Sequence, residues 1–256
     1  MKILVINLKR RQDRLEKILN SFKQFNFKNY EIIEAVDAKE FAELPKQYKS
    51  DKAKRFNKEL SKSEIACAMS HQKCYDRIIQ LNETAIIIED DCPITKELID
   101  FANGNEHPVN DILLLGYYTS NETDAFPQQH PYEILDDSSG CRLYFKNIKK
   151  SFNGVDFYKF DERTYKVDFL HGAHCYCVTP YGARILQCNK NIMVEADNIW
   201  CLFDLKIDLY GTRPMLVGIT GDRSDSDIGG NERRGDDEHQ FFKNHEKRFT
   251  DPRWAR

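Results

Sequence analysis

Two short stretches constrain this chain more than any other feature. Lys2–Asn7 (KILVIN) and Thr84–Glu89 (TAIIIE) are almost unbroken apolar, β-rich runs. A strand without alternation has no face to leave in water, so it belongs in the interior of a sheet. Both runs fall far short of the roughly 18–20 apolar residues of a membrane-spanning helix, and no run in the chain approaches that length. Around them the pattern switches period. Leu15, Ile18, Leu19 and Phe22 recur at helical spacing and predict an amphipathic helix over Arg11–Phe25. Glu31–Val36 reads as a second strand, and Asp37–Asn57 as a polar loop with a short helix. Ser61 and Glu64 have the spacing of a capping box, which predicts a helix over Lys62–Leu81.

Downstream, Asp111–Gly116 reads as a strand, and Tyr117–Ser151 mixes turn residues with short β-like runs. Val167–His171 and His174–Thr179 read as two strands flanking the His-Gly-Ala-His segment. Thr179-Pro180 is a helix start, with Thr as cap and Pro at the first helical position. Arg213–Ile219 reads as a last strand. Strands alternating with helices predict an α/β fold with a mostly parallel central sheet. A single domain is expected, its body over residues 1–220. Residues 221–256 would add a mobile loop and a basic–aromatic tail to the same domain.

Composition narrows the function classes. Hydrophobic residues form 41% of the 256, enough for a sizeable core. Lys+Arg total 38 against 41 Asp+Glu, a balance that argues against a nucleic-acid partner. The eight cysteines show no CxxC spacing and fall largely in apolar segments, as reduced structural thiols do. The first residues, MKILVINLKRRQDR, hold too short an apolar stretch for a secretory leader. A cytoplasmic protein is the expectation. The tail Phe241–Arg256 has five Lys/Arg against two acids, interleaved with aromatics. It could pack as a final helix or touch anionic lipid on the inner face of the cytoplasmic membrane.

The densest chemical signal is Glu89-Asp90-Asp91, three carboxylates at the end of an apolar strand. Open α/β sheets bind ligands at the carboxyl ends of strands. Clustered carboxylates repel one another unless a cation or solvent relieves them, and hard divalent cations take such oxygen ligands. The block is therefore either a metal–diphosphate site or a solvated acidic turn. Lys9, Arg10, Arg11 and Arg14 crowd the start of the first helix, where cations oppose the helix dipole and an anion would relieve them. A solvated basic face is the alternative. If the first strand lies beside the one carrying the carboxylates, both clusters line one cleft. Glu64 and His71 share a helix face, as a ligand-facing stripe or a polar seam under the sheet. His171 and His174 could be ligands, acid–base groups or structural. Asp222–Asp237 reads as a substrate lid or a connector.

Four blocks, in order, make the chain resemble glycosyltransferase family 25, the bacterial lipooligosaccharide transferases and their collagen-modifying relatives. Val5-Ile6-Asn7-Leu8 through Arg10-Arg11-Gln12-Asp13-Arg14 is similar to the family's INLxRRxDR opening. Ser63–His71 is similar to GEIGCxLSH, with Ser63 and Ala66 where Gly is usual. Ile86–Asp91 resembles IIEDD, and His171–Ala183 resembles HGTHAYxxSPxGA, with Ala173 for Thr. Val194–Asp197 matches the family's Pro-Val-Asp region only loosely.

The resemblance implies a GT-A type fold and an inverting hexosyltransferase. It would use a UDP-sugar, usually UDP-galactose, and a divalent cation, Mn²⁺ or Mg²⁺. The acceptor would be a sugar hydroxyl of lipooligosaccharide. By the same analogy Asp91 and Glu89 would hold the metal. Asn7, Leu8, Arg10, Arg11, Arg14, Glu64, His71, Glu89 and Asp90 would bind the donor. Asp197 is the candidate general base, with His174 a weaker candidate. Use of UDP-glucose, modification of protein hydroxylysine, a non-catalytic nucleotide-sugar module and a metal-dependent phosphohydrolase are the other readings.

Overall fold

The computed structural model describes residues 1–49, 59–104, 111–118, 134–135, 142–143, 145–152, 155–160, 171–197, 199, 207–213 and 215–218. The expected lid over Asp222–Asp237, the tail from Phe241 and the residues Val167–Leu170 all lie outside them.

The two apolar runs become β1 (Lys2–Asn7) and β3 (Ala85–Glu89), hydrogen-bonded side by side in parallel with Ile6 opposite Glu89. β2 (Tyr30–Glu34) lies parallel to β1 on its other side. On the far side of β3 runs β9 (His171–Val178), antiparallel to it, then β4 (Ile112–Tyr118) and β10 (Leu209–Arg213). An antiparallel pair, β7 (Phe145–Phe152) and β8 (Val155–Phe160), completes the sheet in the order β2-β1-β3-β9-β4-β10-β8-β7. Among the described residues six of these eight strands point one way, and only β8 and β9 run against them. Two further short strands, β5 (Ile134–Leu135) and β6 (Arg142–Leu143), pair with each other.

The absence of alternation in β1 and β3 has the predicted cause. Leu4, Ile6, Ala85 and Ile87 pack into a core layer with Ile65, Ala68, Tyr75 and Ile78 of helix α2 (Lys62–Leu81) and Ala183 and Leu186 of helix α4 (Pro180–Leu186). Ile3, Val5, Ile86 and Ile88 face the opposite layer. There they meet Ile18 and Phe22 of helix α1 (Gln12–Gln24) and Leu98, Ile99 and Ala102 of helix α3 (Lys96–Asn103). Helices therefore cover both faces of one sheet, the α/β arrangement read from the sequence.

Local signals set the helix starts. The Ser61 side chain accepts from Glu64 N while the Glu64 carboxylate accepts from Ser61 N, a complete capping box. The Thr179 hydroxyl accepts from Gly182 N at the start of α4, with Pro180 in the first turn.

Three expectations need correction. Helix α3 was not anticipated, although Thr95 caps it through Leu98 N and its apolar residues have helical spacing. His171-Gly172-Ala173-His174 is not a connector between strands but the first half of β9. Gly172 adopts φ 117°, a conformation side chains disfavour, next to a register shift in the β9–β4 pairing, so the strand is continuous but irregular. The last strand lies earlier than Arg213–Ile219. β10 ends at Arg213, and beyond it Leu216 N and Val217 N both donate to the single carbonyl of Leu115, a turn rather than a ladder.

Candidate active site

Because β1 and β3 are parallel neighbours, their carboxyl ends bring Asn7 and the Glu89–Asp91 block to one edge. The start of α1 lies at the same edge. Asn7 is buried and its side-chain amide donates to Asp90 Oδ2 at 2.6 Å and to the Arg11 carbonyl at 3.2 Å. Arg14 donates from the first turn of α1 to Asp90 Oδ1 at 2.8 Å, and its side chain is only 6% exposed against 8% for Asp90. Asp90 is thus clamped from two sides. Burial still pushes its carboxyl above the ordinary value, more than Arg14 and Asn7 pull it down.

Two more members of the basic cluster, Arg10 and Arg11, also meet carboxylates of the chain itself. Arg10 pairs with Asp37 at 2.7 Å, and Arg11 with Asp13 at 2.9 Å. The Arg11 hydrogen bond holds Asp13 down to about 2. Carboxylates therefore supply the anions that the crowded start of α1 calls for.

The other two acids of the block differ from Asp90 and from each other. Asp91 has a side chain 41% exposed and stands 3.7 Å from Arg14. Burial, then the neighbouring charge of Glu89, pushes its carboxyl up to about 6. Glu89 turns toward α2. Burial pushes it up, but the hydrogen bond and charge of His71, with His174 and Cys67, outweigh that and hold it below its ordinary value. His71 Nε2 lies 3.1 Å from Glu89 Oε1, and Cys67 Sγ 3.8 Å from the same oxygen.

His71 is anchored from behind. Its Nδ1 lies 2.7 Å from the Tyr176 hydroxyl of β9, which lies 2.8 Å from the Tyr75 hydroxyl of α2. Burial pushes both phenols far above their usual range, so both stay neutral. With Glu89 as acceptor the imidazole donates from Nε2, and when it carries that one ring proton alone it accepts the Tyr176 hydroxyl at Nδ1. The adjacent Ser70 fixes the helix to the loop after β2, accepting from Val36 N and donating to the Ala66 carbonyl.

His174 is 3% exposed and follows Glu89 in the sheet order, since Cys175 pairs with Ile88. Its ring lies over Gly116 of β4, where a Cβ would collide with Nε2 and come 2.5 Å from the Val217 carbonyl. Burial pushes its pKa below the ordinary histidine value. Glu64 is buried and serves the capping box. Leu8 accepts the Arg11 amide in the turn leading into α1. Asp197 is half-buried in the turn after Val194, beside the buried Ala196. The structure thus joins Asn7, Arg14, His71, Glu89, Asp90, Asp91 and His174 at one sheet edge. Sequence reasoning missed Tyr75, Tyr176 and Gly116, all remote in sequence from what they support.

The model for glycosyltransferase family 25, described as an LPS biosynthesis protein, matches residues 1–200. The chain belongs to glycosyltransferase family 25. The match runs from β1 past α4 and so takes in every residue of the edge described above. As a family member the chain is a glycosyltransferase of lipopolysaccharide biosynthesis. A comparison with curated proteins finds no match. No helix among the described residues is long and apolar enough to cross a membrane.

Proposed function

We propose that this transferase moves a hexose, galactose, from a UDP-sugar to a sugar hydroxyl of a lipooligosaccharide acceptor, with inversion at the anomeric carbon. The observation that carries the reading is the division of labour within Glu89-Asp90-Asp91. One carboxylate is locked by Arg14 and Asn7, and one is oriented by His71. The third, Asp91, is half-exposed, and its partial desolvation and the charge of Glu89 hold it near 6. A half-exposed carboxylate that resists ionising beside a second ionised one suits a hard divalent cation, Mn²⁺ or Mg²⁺, which would relieve the repulsion. Asp91 and Glu89 are the residues to hold it. A cation bound there would supply Lewis-acid stabilisation to the departing diphosphate.

The chain's own groups do the rest. Arg14 and Asn7 keep Asp90 from swinging into the donor space and fix the β3 terminus. Arg10 and Arg11 are paired with Asp37 and Asp13 at the mouth of α1, and their part in holding the phosphates is to exchange those carboxylates for the donor. Asp197 accepts the proton of the acceptor hydroxyl, the role of the general base in inverting glycosidases. His174 lies buried beside Glu89, next in the sheet order, and packs against Gly116.

A donor screen tests this reading: UDP release from several UDP-hexoses onto truncated lipooligosaccharide, with Mn²⁺ and with EDTA. The expected outcome is turnover of UDP-galactose, lost in EDTA and restored by Mn²⁺. Turnover of equal rate in EDTA contradicts the metal assignment, and UDP binding without transfer to any glycan contradicts the activity. Asp197→Asn is expected to cut turnover by orders of magnitude with UDP affinity unchanged; a collapse of UDP affinity would move Asp197 to the donor site.

A further inference from the structure

Cys67, His71 and Glu89 form a group that the transfer reaction does not explain. Cys67 and His71 are four residues apart on α2 and so project from one face, while Glu89 arrives from the end of β3. Their sulfur, nitrogen and oxygen atoms all lie within 4.8 Å of one another. Glu89 Oε1 is 3.1 Å from His71 Nε2 and 3.8 Å from Cys67 Sγ. Zinc bound tetrahedrally, with bonds of about 2.3 Å to sulfur and about 2.0–2.2 Å to nitrogen and oxygen, sets ligand atoms about 3.4 Å apart for N and O and about 3.6 Å for S and O. The two separations to Glu89 Oε1 are within a few tenths of an ångström of these, and the third, between Cys67 and the His71 ring nitrogen, lies within 4.8 Å against about 3.6 Å for bound zinc.

We propose that Cys67, His71 and Glu89 form a binding site for a thiophilic divalent cation of the Zn²⁺ class, sharing Glu89 with the Mn²⁺ site proposed at Asp91 and Glu89, through which such an ion inhibits the enzyme. Ligand chemistry separates the two sites. A thiolate and an imidazole select Zn²⁺ or Co²⁺ over hard cations, whereas carboxylate oxygens favour Mn²⁺ and Mg²⁺. Three protein ligands leave a fourth position open. The site is accessible from the sheet edge: Glu89 has a side chain 27% exposed, Cys67 is partly exposed, and His71 at 1% forms the floor.

The Cys67 thiol loses its proton to solvent as the sulfur–metal bond forms, one proton per ion for a neutral imidazole. Nε2 must offer its lone pair to the metal, so the ring proton moves to Nδ1 and is donated to the Tyr176 oxygen. The Tyr176 and Tyr75 hydroxyls, each able to donate or accept, can follow that reversal, and they hold the imidazole as an outer-shell partner does in metal sites. Glu89 exchanges its hydrogen bond from His71 for a bond to the ion. Inhibition rests on the proposed role of Glu89 in the donor site, because an ion here withdraws that carboxylate from the diphosphate edge.

The test uses Co²⁺ as a spectroscopic probe on the full chain, without donor or acceptor. The expected result is one equivalent of Co²⁺ giving a thiolate-to-cobalt charge-transfer band in the near ultraviolet and intense visible bands of four-coordinate cobalt, both displaced by Zn²⁺. Cys67→Ala abolishes the band, and Tyr176→Phe weakens binding by about 10–100-fold. A spectrum unaltered by Cys67→Ala overturns the proposal. Should that variant fail to fold, alkylation of the wild-type protein decides. Zn²⁺ is expected to slow modification of Cys67, mapped by peptide mass spectrometry among the eight cysteines, and an unaltered rate overturns the site. Neither readout depends on transfer. A failed donor screen with intact Co²⁺ binding removes the proposed activity and leaves the site; the reverse result removes the site alone.

Discussion

Replacing Arg14 by Met tests whether the clamp on Asp90 holds the carboxylate edge together. Met keeps much of the aliphatic bulk and removes the charge. In the wild type Arg14 and Asp90 are 6% and 8% exposed and bonded at 2.8 Å, so this is a buried pair. Removing one partner of such a pair costs about 3–5 kcal/mol, because the remaining charge stays desolvated. Loss of the longer contact to Asp91, whose side chain is 41% exposed, adds under about 1 kcal/mol. Asn7 still donates to Asp90, which favours the lower half of the range. Against a total stability of about 5–15 kcal/mol this is a large fraction, and it lowers Tm by roughly 6–20 °C in a chain of this size. The assay is urea denaturation followed by circular dichroism at pH 7, run as a double-mutant cycle with Asp90→Asn. The neutral amide no longer needs the guanidinium, so Arg14→Met should cost markedly less in the Asp90→Asn background. Protonating Asp90 should have the same effect, so the cost should shrink as the pH is lowered. A cost below about 1 kcal/mol in the wild-type background, or no coupling in the cycle, refutes the clamp.

Three further outcomes concern the same edge. Asp91 is pushed up from 3.8 to about 6, so between those values the folded chain holds more of its proton than the unfolded chain does. Its contribution to stability therefore falls as pH rises through that window, and Asp91→Asn should flatten the slope in metal-free chemical denaturation. Mn²⁺ competes with the same proton, so its affinity should climb as pH rises through 6, read by calorimetric titration. Gly116→Ala puts a Cβ into the His174 ring and against the Val217 carbonyl, and since backbone cannot yield as a side-chain tip can, a loss near the top of the roughly 1–3 kcal/mol overpacking range is expected in thermal unfolding.

How much of this was legible in the sequence depends on the distance over which each interaction acts. The capping box of α2 and the Thr179 cap of α4 involve partners three residues apart, and both were read correctly. β1 and β3 were legible because burial on both faces leaves a continuous apolar run. The pairing of β1 with β3 was only a condition in the sequence, since register is a tertiary fact. Arg14 finds Asp90 across 76 residues, and His71 finds Tyr176 across 105. No local pattern marks either pair, so the basic cluster read as a phosphate grip or a solvated face rather than as partners of carboxylates. Met215–Val217 shows the opposite failure, a β-like composition that follows the strand because its amides converge on Leu115. Helix α3, only eight residues long, sat in a stretch where its cap and spacing were readable and went unread.

The account stands on the carboxylate block at the end of β3 acting as the donor and metal site, and Asp91→Ala tests that claim most directly. Mn²⁺-dependent UDP release should be compared for the variant and the wild type, with circular dichroism confirming the fold. The substitution removes a half-exposed side chain and should leave the fold intact while abolishing metal-dependent transfer. Near-wild-type turnover in saturating Mn²⁺ would contradict the assignment.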